Sequence, residues 1–182
     1  SGRLILKAKA RQGKETLTDN VSFSGTTLAQ AENTEHRLLY TTPTLSDSIH
    51  ISGEISITIR LAGSKPAANL SVWLVSLPWN NRPDAKITDN IITRGWADPQ
   101  NYKSLTKSEA LKKGKFYPMT FNLQPDDQVI PAGQQIGLMI FSSDRDFTLW
   151  PNPGTKLTVD LDATSISIPV VGGKAAFAKA TK

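Results

Sequence analysis

The stretch LMIFSSDRDFTLWP, Leu138 to Pro151, sets two serines and two aspartates directly after an apolar run, with a tryptophan close behind. For Ser142 or Ser143 to act as a nucleophile, a histidine must lie within hydrogen-bond reach and an acid must orient that histidine. In the α/β-hydrolase arrangement the serine also occupies G-x-S-x-G on a strand-to-helix elbow. No glycine flanks Ser142 or Ser143, and no helical periodicity follows them. The stretch therefore reads as a strand end, a polar turn and another short extended piece. Histidine is the second limit, because only His36 and His50 are available. His50 falls on the polar side of an alternating strand and His36 in a weakly patterned segment, which is too little for a zinc site without further ligands.

Carboxylates come in pairs: Asp126-Asp127, Asp144/Asp146 and Asp160/Asp162. The first pair follows Pro125 and is explained as turn chemistry. The last pair shares one strand face, where like charges are solvated. A calcium site needs roughly six or more oxygens, and no loop has that ligand density. VVGG near the end lacks the helix with Lys and Ser that a phosphate loop requires. The expectation is no catalytic residue, no cofactor and no metal in this chain. Trp73 lies in an apolar strand and reads as core. Trp79 (LPWNNRP), Trp96 (RGWADP) and Trp150 (LWPNP) lie beside Pro, Asn and Gly at loops or strand ends. Loop tryptophans cover a core edge or meet a partner. With Arg94 of the same RGW run, they are the candidate domain-contact or ligand-platform residues, a carbohydrate platform being the sharper alternative.

The elements that must position these residues are strands. SIHISGEISITIRLA alternates strictly, with Ile49, Ile51, Ile55, Ile57, Ile59 and Leu61 on one side and His50, Ser52, Glu54, Ser56, Thr58 and Arg60 on the other. This predicts one long strand with a bulge or bend at Gly53. NLSVWLVSL is apolar on both faces, as in mid-sheet, and FYPMTFNL, QIGLMIF, TKLTVDLD and TSISIPV add further strands. GSKPAAN, PWNNRPDA, QPDD, PAGQ and WPNPG supply turns. The fold class expected from the strands is an all-β sandwich with one or two short helices on connections. TKSEALKKG predicts a helix capped by Thr106 and Glu109 and stopped at Gly114, and TLAQAENTEHR a second with a weaker box at Thr27 and Gln30. Residues 1–37 read as a weakly patterned lead-in from a preceding domain, 38–173 as the sandwich and 174–182 as a polar tail.

Bulk properties agree. The 182 residues suit one domain, and 38% hydrophobic content plus 12 glycines is ordinary for a globular chain. The net charge of +5 is concentrated near the amino end and at residues 103–115. Neither cluster interleaves stacking aromatics, so no nucleic-acid partner is expected. No apolar run reaches the roughly 18 residues of a membrane span, and no membrane partner is expected. Cysteine is absent, which excludes disulfides and thiolate chemistry and fits a cytoplasmic location. The opening Ser-Gly reads as the cut edge of a longer chain.

LLYTTPTLSDSIHISGEISITIRL, then IITRGWADPQNYKSLTKSEALKKGKFYPMTFNLQPDDQVIPAGQQIGLMIFSSDRDFTLWP, then SISIPVVGG together resemble the carboxy-terminal domain of Xaa-Pro dipeptidyl-peptidases. These are bacterial serine peptidases related to cocaine-esterase-like acyl hydrolases. The resemblance covers about Leu38 to Gly173 and is carried by RGW, L-x-P-x-D-x-V-I-P-A-G, SSD and IPVVGG. Gln135 stands where the family often has His. The resemblance implies an all-β, jelly-roll (galactose-binding-like) β-sandwich and a Ser-Asp-His machinery in a preceding α/β-hydrolase domain of the same parent chain. It further implies release of Xaa-Pro dipeptides from the amino termini of peptide substrates by a cytoplasmic homodimer. This piece would then pack on the catalytic domain and shield it.

Overall fold

A computed structural model describes residues 2–7, 10–80, 82–86, 89–151 and 153–182. Among them, strands and helices follow in the order β1 (Gly2–Arg3), β2 (Lys14–Thr18), α1 (Gly25–Gln30), β3 (Arg37–Thr41), β4 (Ile49–Gly53), β5 (Ser56–Gly63), β6 (Leu70–Leu77), β7 (Ile91–Ala97), β8 (Phe116–Asn122), β9 (Asp126–Ile130), β10 (Gln135–Phe141), β11 (Lys156–Asp160), β12 (Ser165–Ser167) and α2 (Gly173–Ala180). One sheet runs β1-β3-β10-β6-β7. In the other, β8 pairs one edge of β5, while β11 and β12 share its opposite edge and β2 lies outside β11. β4 and β9 form a separate ribbon. This is an all-β sandwich.

Period-2 alternation places the core. Leu70, Val72 and Leu74 of β6 and Ile136, Leu138 and Ile140 of β10 meet Ile57, Ile59 and Leu61 of β5 and Leu157 and Val159 of β11 in one buried cluster. Tyr40 of β3 reaches across this space and donates to Glu15 of β2 over 2.9 Å. Burial first, then the carboxylate, pushes the phenol's pKa upward. The opposite face of β6 and β10 is apolar too, which explains the doubly apolar NLSVWLVSL. There Trp73, Val75, Met139 and Phe141 pack with Leu28 and Ala29 of α1 in a second cluster. Gly25 lets α1 lie on the indole, since a Cβ at this position would stand 2.2 Å from Trp73 Cζ2.

Several expectations need correction. The long alternating run is two strands: at Gly53 the φ angle is 129°, a left-handed-side value suited to glycine, and the chain passes from the β4–β9 ribbon into the second sheet. The helix expected at 106–114 does not form. Glu109 N donates to Gln100 O and Leu111 N to Pro66 O, both at 2.8 Å, so these amides are committed to distant carbonyls and not to a helical ladder. Leu111 is drawn into the core, and Glu109 pairs with Lys103 instead of closing a capping box. The other expected helix is the short α1, capped by Ser24, whose Oγ accepts from Thr27 N at 3.2 Å; Thr27 is inside it. Residues 174–182 are no polar tail: α2 buries Phe177 and Ala180 against the main core. Lead-in residues 14–18 form β2 and extend the second sheet through β11.

Candidate functional site: a buried polar hub and an aromatic stack

β10 ends at Phe141, and the chain that follows turns inward, not outward. Ser142, Ser143 and Asp144 are all buried, at 1%, 1% and 0% exposure. Ser142 Oγ donates to Asn69 O at 3.0 Å, and Ser71 Oγ donates to Ser142 O at 2.8 Å. The Ser143 amide and hydroxyl both donate to the carboxylate of Asp19, at 2.9 and 2.8 Å. Asn69 Nδ2 donates to Ser143 Oγ at 3.1 Å and to Leu149 O at 2.6 Å. Asp144 accepts from Gly25 N at 3.1 Å, at the start of α1, and from Trp96 Nε1 at 3.4 Å. Desolvation raises the Asp144 carboxyl above its ordinary range, partly opposed by those two donors. Buried polar groups with their partners in place fix a unique packing. The hub ties strand ends, α1 and the lead-in together.

Neither serine faces an imidazole. His36 Nδ1 lies 2.7 Å from Thr18 O and its ring packs edge-on to Phe23. His50 Nε2 pairs with Asp127 across the β4–β9 ribbon, exposed as the alternation predicts. A histidine and an acid thus do meet, but on the surface; Ser52 stands opposite Asp127 in the ribbon, and among the described residues no serine hydroxyl is hydrogen-bonded to the His50 ring. Among the described residues no three His, Asp or Glu side chains are grouped to hold a metal ion.

Of the four candidate residues, Arg94 and Trp96 come together. Gly95 faces the core between them, where a Cβ would stand 2.5 Å from Leu123 Cδ2 and 3.1 Å from Leu123 Cα. Its flanking residues point to the outer face. There Trp96 stacks on Phe147, with centroids 5.0 Å apart and planes 28° from parallel. The Arg94 guanidinium lies over Phe147, Trp73 and Trp96 at 4.6, 5.4 and 5.6 Å. One face of Trp96 is therefore taken by Phe147, which argues against a sugar platform there. Trp150 is 64% exposed, with its Nε1 donating to Arg145 O. Trp79 packs at the margin of the second cluster. Gln135 Nε2 donates to Thr42 O at 2.9 Å, giving this position a structural tie to the segment after β3.

Asp19, Asn69 and Phe147 were not singled out from sequence. Asp19 and Ser143 are separated by 124 positions, and nothing local marks either as the other's partner. Also unforeseen is a groove of about 1000 Å³ between Arg3–Leu6, the segment 161–170 and α2, floored by Tyr40, Leu138 and Phe177.

Comparison with known families decides what kind of unit this is. Residues 1–180 match the family described as the X-Pro dipeptidyl-peptidase C-terminal non-catalytic domain. The chain belongs to this family. A protein named "Putative Xaa-Pro dipeptidyl-peptidase" from Rhodopirellula baltica is 65% identical over 172 residues, covering 94% of this chain and 28% of that one. A like-named protein from Bacillus cereus is 42% identical over 136 residues, covering 75% and 22%. The chain thus spans less than a third of the length of these relatives. Among solved structures, an α-amino acid ester hydrolase superposes with TM-score 0.67 at 15% identity, over 89% of this chain and 33% of that one. An aminopeptidase from a marine-sediment Thaumarchaeota archaeon gives 0.71 at 14% identity, over 93% and 35%. At such identities the superpositions speak to the fold. As a member of the family, the chain is a non-catalytic C-terminal domain of Xaa-Pro dipeptidyl-peptidase-like hydrolases. Its RGW run has a mechanical meaning: cation, close approach, stacking ring. No helix among the described residues is long and apolar enough to cross a membrane.

Proposed function

We propose that this chain is the accessory sandwich of a serine-type Xaa-Pro dipeptidyl-peptidase, packing on and shielding an α/β-hydrolase domain of the same parent polypeptide. The parent removes Xaa-Pro dipeptides from the amino termini of peptides, as a cytoplasmic homodimer. The observation that supports this best is the family match over residues 1–180. The hub agrees with it: the hydroxyls of Ser142 and Ser143 donate to Asn69 O and the Asp19 carboxylate, and neither meets an imidazole. Arg94, Trp96, Trp79 and Trp150 serve contact and packing, not bond-breaking.

The test uses the full parent polypeptide with a chromogenic Xaa-Pro substrate and a serine-directed phosphonate. Turnover should disappear when the serine of the preceding hydrolase domain is replaced, and the probe should label that serine alone. Stoichiometric labelling at Ser142 or Ser143, or no cleavage after proline, would overturn the proposal.

A further inference from the structure

The apolar groove beside β12 has the form of an unfinished interface. β12 pairs with β5 on one side and with no strand on the other among the described residues, so one of its edges is left without a ladder. The wall facing it is the amino-terminal segment, where Ile5 and Leu6 are 39% and 52% exposed. Leu4, Leu161, Ile166 and Ile168 flank the hollow and are only partly buried by the main core. Apolar side chains therefore line much of this concavity, and ligand and partner sites favour such hollows at domain interfaces. Arg3 and Lys174 line the same groove, and neither has an ion pair among the described residues.

We propose that this groove seats the hydrolase domain of the same parent polypeptide; this rests on the reading given under Proposed function and assigns it a surface. Two observations select that occupant. The family is a C-terminal domain, and its relatives carry most of their length outside the matched part, so the preceding domain of such a polypeptide joins at the Gly2 side. That side is itself a wall of the groove, since Arg3–Leu6 line it. A tether delivered at the rim gives the groove a high effective concentration of that neighbour over any free partner. The matching surface is apolar at its centre, with carboxylates placed to meet Arg3 and Lys174 and backbone groups able to meet the free edge of β12. The rival patch, Phe147, Leu149 and Trp150, is exposed but partly engaged: Phe147 stacks on Trp96, and Trp150 donates to Arg145.

The chain contains no cysteine, which makes a thiol footprint simple. In the full parent polypeptide, with native thiols elsewhere replaced, single variants Leu6→Cys, Ser165→Cys and Ser167→Cys probe the groove. Leu149→Cys probes the rival patch, and Leu105→Cys, at 94% exposure, is the solvent reference. Turnover of an Xaa-Pro substrate verifies that each variant is folded. Maleimide labelling in the groove should be at least about tenfold slower than at Leu105→Cys, as for side chains at an interface core. Fast labelling in the groove with slow labelling at Leu149→Cys would overturn the groove while leaving domain packing intact. Fast labelling at every position would sink the packing itself. Groove protection that weakens on dilution of the protein would instead identify a second copy as occupant and overturn the proposal.

Discussion

The carboxylate of Asp19 accepts two hydrogen bonds from Ser143, one from its amide at 2.9 Å and one from its hydroxyl at 2.8 Å. With Asn69 donating to the same hydroxyl at 3.1 Å, Ser143 is saturated as a structural group. A serine that resembles a nucleophile in sequence is thereby the latch between the end of β10 and the turn after β2. This latch and its surroundings yield four tests.

Asp19→Ala leaves a buried amide and hydroxyl without an acceptor, and each such loss costs about 1–3 kcal/mol. Urea unfolding should show a matching fall in stability, with Asp19→Asn intermediate because it keeps one acceptor oxygen. Unchanged stability in Asp19→Ala would refute the latch.

Gly95→Ala drives a Cβ to 2.5 Å from Leu123 Cδ2 and 3.1 Å from its Cα. Overpacking of this sort costs about 1–3 kcal/mol. Adding Leu123→Ala should not restore the loss, since the crowded backbone of residue 123 stays where it is and the smaller side chain leaves its own cavity. Thermal melts of the single and double variants check this.

Arg94→Lys should resemble Arg94→Ala more than wild type, because a planar guanidinium over three rings is replaced by a compact ammonium. The expected loss is about 1–2 kcal/mol by denaturation, of the size of partly desolvated cation–π contacts. Trp96→Ala should lower stability too, whereas a glycan array should show no saturable binding by the wild-type chain.

Burial raises the Asp144 carboxyl above 3.8. An acid whose folded value exceeds its unfolded value holds more protons when folded across that interval. Stability therefore falls as pH climbs from the unfolded value through the folded one, and the loss is complete above it. Asp144→Asn should flatten this part of the stability–pH curve. A carboxyl titration by NMR with its midpoint at or below 3.8 would refute the assignment.

Much of the sandwich was legible because alternation is local: each residue of FYPMTFNL or QIGLMIF takes its face from its neighbours, and Pro, Gly, Asn and Asp mark the turns. The sequence also settled that no thiol chemistry occurs, and that the SSD run lacks the setting of a nucleophile elbow. Other features depend on partners far along the chain. TKSEALKKG carries every local mark of a helix, yet Leu111 donates to Pro66 O and enters the core, and burial outweighs a helical propensity worth only tenths of a kcal/mol per residue. Gly53 was visible as a break, but its consequence, passage of one alternating run into two sheets, is set by which strands pair on either side. Asp19 meeting Ser143, and Arg3–Leu6 meeting β12 across an apolar groove, come from chain crossings that no periodicity encodes. Periodicity names the face a side chain takes; only the folded sheets decide what lies opposite that face.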